Sequence, residues 1–141
     1  MAWRDPRAFR AAVGALGVVP FATGLASLAR GTAIVRGGGT TDPNVESEHR
    51  FLAAWWTALG PALWALAPTA ERRRREVAFV GATLFAGGLG RVAAARRHGR
   101  PHPLYVALGA VELALPVALV AWQRAVGAGD ENRTRVISLE D

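Results

Sequence analysis

Hydrophobic and polar positions along the chain separate into four apolar blocks divided by short polar stretches. Two blocks, residues 11–29 and 51–70, contain no charged residue, and each approaches the ~20 residues a helix needs to cross ~30 Å of hydrocarbon. A helix of a soluble protein would carry charges every few residues along one face, and neither of these two blocks does. The pattern predicts transmembrane helices near residues 9–29, 48–68, 77–97 and 104–123. Between them lie Gly37, Gly38, Gly39, Thr40, Thr41, Asp42 and Pro43, then the basic turn Arg72–Arg75, then a stretch punctuated by Gly99, Pro101 and Pro103. Short connections make neighbouring helices antiparallel. The expected fold class is all-α: a transmembrane up-down-up-down four-helix bundle, one domain over residues 1–128, with both termini on one side. Pro20, Pro61 and Pro116 fall inside helices, where each loosens a turn of backbone bonding.

Arg4, Arg7 and Arg10 ahead of the first block resemble the charged start of a signal peptide. The apolar run is too long and offers no convincing cleavage site, so it reads as a first transmembrane helix, with a signal peptide as the alternative. Residues 129–141 differ in character from the rest. They resemble the peptide read from the antisense strand of a transfer-RNA gene, and a flexible, disordered read-through tail is expected there.

Composition narrows the chemistry. A chain of 141 residues with 51% hydrophobic and 20% charged residues is one domain's worth and too apolar for disorder. Cysteine is absent, which excludes disulfides, thiolate nucleophiles and cysteine metal sites. All 17 basic residues are arginine, and the net charge is +6. These arginines sit at the ends of apolar blocks, where they meet lipid headgroups, so the charge points to a lipid bilayer and not to nucleic acid. One side carries Arg4, Arg7, Arg10, Arg72, Arg73, Arg74, Arg75 and Arg124; the other carries Arg30, Arg36, Arg50, Arg96, Arg97 and Arg100. The denser cluster lies in a short loop, which favours cytoplasmic termini.

Small residues at four-residue spacing suggest packing faces: Ala54, Ala58 and Ala62 in the second helix, Ala82, Ala86 and Gly90 in the third, Ala110, Ala114 and Ala118 in the fourth. Trp64, near the end of the second helix, suits an interfacial belt.

Glu112 is the most informative residue. It lies about 13 Å along the fourth helix, near the middle of the span, where an acid facing lipid costs about 3 kcal/mol. Arg91, about 9 Å from the same surface on the antiparallel third helix, is its natural partner. Three readings remain open: an ion pair that fixes helix register, a ligand or proton site, or a snorkelling Arg91 beside a protonated Glu112. A second group, Asn44, Glu46, Glu48, His49 and Arg50, marks the entrance to the second helix. Glu48 suits the N-terminal turn, with Ser47 or Asn44 as cap. Alternatively, Glu48 and Arg50 close over Arg91 and Glu112 to form a polar recess. His98 and His102 have metal-ligand spacing, but Gly99, Pro101 and Pro103 interrupt the helix between them, so no metal is expected. No nucleophile triad, phosphate loop or paired catalytic carboxylates can be placed.

The segments Asn44–Phe51 (NVESEHRF), Phe85–Arg91 (FAGGLGR), Gly99–Pro101 and Glu112–Leu113 with Pro116 resemble the bacterial domain-of-unknown-function family 4345. The resemblance implies a small four-helix protein of the bacterial inner membrane, broadly similar to the DoxX-like proteins, some of which accompany quinone-linked oxidation. It marks Glu48, Arg50, Arg91 and Glu112 as matching the family's pattern. The expectation is a non-catalytic module that binds a lipid, a quinone or a partner at a polar intramembrane recess. The alternatives are an accessory subunit of a quinone-linked oxidoreductase and a small transporter. Four helices bury a thin core, so a homodimer or a membrane-protein partner fits the same reading.

Overall fold

The computed structural model describes residues 4–38 and 41–137, with side chains through Gly127. Its elements are α1 (Pro6–Arg30), α2 (Pro43–Leu66), α3 (Arg74–His98) and α4 (Pro103–Ile137), with short 3-10 turns at Gly31–Ile34 and Ala67–Thr69. The expected all-α class is observed, and no strand occurs among the described residues.

Three of the helices, α1, α2 and α4, start earlier than the apolar blocks do, and for one shared reason. The Asp5 carboxylate accepts from the Arg7 N–H at 2.9 Å, and the Asp42 carboxylate accepts from the Asn44 N–H at 2.8 Å. His102 Nδ1 accepts from the Leu104 N–H at 3.2 Å. In each case proline follows the cap, at the first helical position, where its missing N–H is no loss. Asn44 and Ser47, expected as caps, therefore lie inside α2, and Asp42 takes that role. α3 ends at Gly99, whose φ of 92° suits glycine, after a last turn of Arg96, Arg97 and His98 that complements the negative helix end. α4 continues past residue 123 to Ile137, into the stretch expected as a tail, because no proline follows Pro116 and extending a formed helix is easy. The end of that tail, residues 138–141, lies outside the described residues.

Four helical segments, Pro6–Ile34, Pro43–Thr69, Arg74–His98 and Pro103–Gly127, are long and apolar enough to cross a membrane. Only 17% to 22% of each spanning window is buried, and outward positions carry large apolar side chains such as Leu52, Trp55, Phe79 and Val117. Such surface is matched by lipid and not by water. This is a multi-pass membrane protein.

The chain forms two compact units, Ala11–Pro68 and the remainder. In the first, α1 and α2 run antiparallel along a glycine seam. A Cβ on Gly17 would lie 2.9 Å from the Gly60 carbonyl oxygen, one on Gly60 would lie 2.6 Å from Phe21 Cβ, and one on Gly24 would lie 2.7 Å from the Thr57 nitrogen. Backbones this close leave room for two indole bonds across the seam: Trp56 Nε1 donates to Thr23 Oγ1 at 2.8 Å and Trp64 Nε1 donates to the Gly14 carbonyl at 3.0 Å. Trp64, expected in an interfacial belt, is thus an inter-helix tie, with its ring 5.0 Å from that of Phe21.

In the second unit α3 and α4 pack antiparallel. Gly81 faces Pro116, Gly88 faces Leu113 and Gly109 faces Arg91. The alanine stripes expected as packing faces are overturned in all three helices. Ala54, Ala58, Ala62, Ala82, Ala86, Gly90, Ala110, Ala114 and Ala118 are exposed, while Gly60, Gly81, Gly88 and Gly109 are buried, with Gly60 tight against α1 and Gly88 tight against Leu113. Glycine wins because hydrogen alone permits backbone contact between helices. The first residues of α1 also belong here: Phe9 is fully buried with its ring edge-on to Trp122 at 5.4 Å, and Arg10 meets Glu71 in the α2–α3 connection.

Candidate functional site

Arg91 comes from the last third of α3 and Glu112 from near the middle of the α4 span Pro103–Gly127. Nε of Arg91 donates to Oε2 of Glu112 at 2.7 Å and Nη2 donates to Oε1 at 3.0 Å. Two parallel charge-assisted bonds hold the fork in one plane. The glycines on both helices make room for it. A Cβ on Gly88 would lie 3.3 Å from Glu112 Cβ, and one on Gly109 would lie 3.5 Å from the Arg91 stem. Arg91 also lies over the Tyr105 ring, with 5.8 Å from guanidinium carbon to centroid. Glu112 keeps 16% of its side-chain surface and Arg91 39%, so the carboxylate is the deeper partner and the cation faces outward.

Beside the pair, between α3 and α4, opens a groove of about 510 Å³. Its inner walls are apolar (Val92, Ala95, Val106, Ala110, Leu113), and its outer end carries Arg96, Arg100 and Pro101. Arg91 and Tyr105 stand where the two regions meet.

The second expected group resolves around a different residue. Glu46 Oε2 accepts from the Thr32 N–H at 2.8 Å and from the Thr32 hydroxyl at 2.7 Å, while Oε1 accepts from Arg50 Nε at 2.7 Å. Arg50 also donates to the Leu28 carbonyl at the end of α1. Gly31, at φ 58°, makes the turn, and any Cβ there would strike the Glu46 carboxylate. The cluster closes the α1–α2 connection. Glu48 is exposed and makes no hydrogen bond or ion pair among the described residues. Arg50 and Glu48 belong to one unit, Arg91 and Glu112 to the other.

At the opposite level from the groove, Arg10 Nε donates to Glu71 Oε2 at 2.9 Å and Nη2 to Oε1 at 2.5 Å. Gln123, 2% exposed, donates from Nε2 to the Ala70 carbonyl at 2.5 Å. The Arg10 guanidinium holds the Glu71 carboxyl below the usual carboxylate range, against the opposing effect of burial. This polar knot ties the start of α1 and the end of the α4 span to the α2–α3 connection.

Residues 8–123 match the family model described as Domain of unknown function (DUF4345). The chain belongs to this family. No curated protein and no solved structure matches it. The DUF4345 segment contains Arg91, Glu112, Glu46, Glu48 and Arg50, together with Arg10 and Glu71, and it ends at Gln123. Sequence reasoning paired Arg91 with Glu112 from depth alone. It missed Arg10–Glu71, whose signal is an acidic residue opening an otherwise basic loop, and it favoured Glu48 over Glu46.

Proposed function

We propose that this protein is a non-catalytic module of the bacterial inner membrane that seats an amphiphile in the α3–α4 groove beside Arg91 and Glu112. A lipid, a quinone or the surface of a partner helix has the required chemistry: an apolar body and one polar end. The observation that carries this reading is a groove of about 510 Å³ that is apolar along its inner length and cationic at its outer end. It falls in the 300–1,000 Å³ range of small-molecule sites.

The state of Glu112 favours holding over proton transfer. Both its oxygens accept from a single guanidinium, so the carboxylate is committed to a cation and is a poor relay. The pair sets the register of α3 against α4 and thereby the shape of the groove beside it. Glu46, Arg50 and Thr32 act in the same structural sense on the α1–α2 connection. Both termini are assigned to the cytoplasm, on the arginine density of the α2–α3 connection.

The test is thermal unfolding of delipidated protein in mild detergent, with and without total bacterial lipid extract. Ligand binding to the folded state raises the midpoint by mass action. The wild type is expected to gain several degrees and Ala110→Phe, which fills the groove from an exposed position clear of the ion pair, is expected to gain none. Equal gains in both proteins, or none in either, would overturn the assignment.

A further inference from the structure

The outer end of the groove specifies what kind of amphiphile it takes. Arg91 is neutralised by Glu112, but Arg96 and Arg100 make no hydrogen bond or ion pair among the described residues. The groove thus presents two uncompensated cations at one end and almost no polar surface at the other. From Pro103, where α4 begins, to Leu113 at the inner end is ten residues, or about 15 Å at 1.5 Å per residue. That equals about half of a ~30 Å hydrocarbon core, the depth of one leaflet. A groove that is cationic at headgroup level and apolar down to the midplane matches the charge and the length of one acyl lipid with an anionic headgroup.

We infer that the α3–α4 groove is a binding site for an anionic phospholipid of the bilayer, its phosphate held by Arg96 and Arg100 and one acyl chain lying along Val106, Ala110 and Leu113. The inference rests on the groove reading proposed above and adds the headgroup charge. Arginine suits a phosphate because its planar fork donates two parallel bonds to two oxygens. A free inorganic anion would leave the apolar inner length unused, and a zwitterionic lipid would bring its own cation beside Arg96 and Arg100.

The experiment places the full chain in nanodiscs of equal phosphatidylglycerol and phosphatidylcholine with identical acyl chains, then ejects it gently and reads bound lipid by native mass spectrometry. A basic side chain near an anionic headgroup is worth about fivefold in affinity, so two give about 30-fold preference for phosphatidylglycerol. Arg96→Gln and Arg100→Gln are each expected to reduce that preference about fivefold. Arg97→Gln, also exposed on the last turn of α3 but outside the groove, is expected to leave it unchanged. Equal retention of the two lipids by the wild type, or an equal effect of Arg97→Gln, would overturn the headgroup assignment. So would displacement of the lipid by millimolar inorganic phosphate. If either lipid is retained without preference and Ala110→Phe abolishes that retention, the groove stands and only the anionic specificity fails. If neither lipid is retained by the wild type, both readings fail.

Discussion

The Arg91 guanidinium and the Glu112 carboxylate meet as a two-bond fork, at 2.7 and 3.0 Å, across helices that run in opposite directions. Because α3 and α4 are antiparallel, sliding either by one residue would part the two groups by about 1.5 Å in depth. The fork therefore fixes register together with the close fit of Gly88 against Leu113.

Removing one partner strands the other. Arg91→Gln and Glu112→Gln are each expected to lower stability in detergent by about 1–3 kcal/mol, less than for a fully buried pair because Arg91 is 39% exposed. The double variant Arg91→Leu/Glu112→Leu should recover most of the loss. A double-mutant cycle read by denaturant unfolding in mild micelles measures the coupling, and additive losses would contradict a direct pair.

The glycine seam of the first unit gives a contrast of neighbours. Gly17→Leu and Gly60→Leu push side chains into backbone that already lies within van der Waals distance, and each is expected to cost more than about 2 kcal/mol. Ala58→Leu and Ala62→Leu, on the exposed face of the same helix, are expected to stay within about 0.5 kcal/mol. The same unfolding assay decides, and comparable losses at the two sets would return the packing face to the alanines.

Glu71 sets an acid limit. Its carboxyl is held below the usual range first by the hydrogen bonds from Arg10, so the folded state binds its proton less readily than the unfolded chain does. The resulting stability is fully present above the ordinary carboxylate pKa of about 4.3 and is lost as pH falls through the lower folded value. Melting temperature against pH is expected to drop below about pH 4 in the wild type, and Glu71→Gln is expected to flatten that drop while lowering the plateau at neutral pH. A profile in Glu71→Gln parallel to that of the wild type would remove Glu71 from the acid response.

Since the chain holds no cysteine, single cysteines report sidedness cleanly. Arg4→Cys and Arg72→Cys are expected to resist a membrane-impermeant maleimide applied to intact cells. Thr41→Cys and His98→Cys are expected to react. The reverse pattern would invert the orientation without altering the fold.

Much of this was legible in the sequence. Uncharged runs of about 20 residues fix helices whatever their neighbours, and depth counting along two antiparallel helices pairs Arg91 with Glu112. The misreadings arose where several residues compete for one role. Alanine is so frequent that its spacing carries little information, and only the tertiary contacts reveal that Gly17 and Gly60 pack against backbone and Gly88 against Leu113. Glu46 and Glu48 are two residues apart, about 200° around a helix, so their roles depend on where α2 begins. That start was readable in Asp42-Pro43, a cap followed by proline, but the apolar pattern drew the boundary later. Arg10–Glu71 joins residues 61 apart and needs the helix order before it can be seen.

The most direct measurement is the native mass spectrum of the full chain as purified in mild detergent, wild type beside Ala110→Phe at equal melting temperature. The expected result is a discrete added mass of lipid size on the wild type alone. A bare wild type, or the same added mass on both proteins, would contradict the groove as the seat of function.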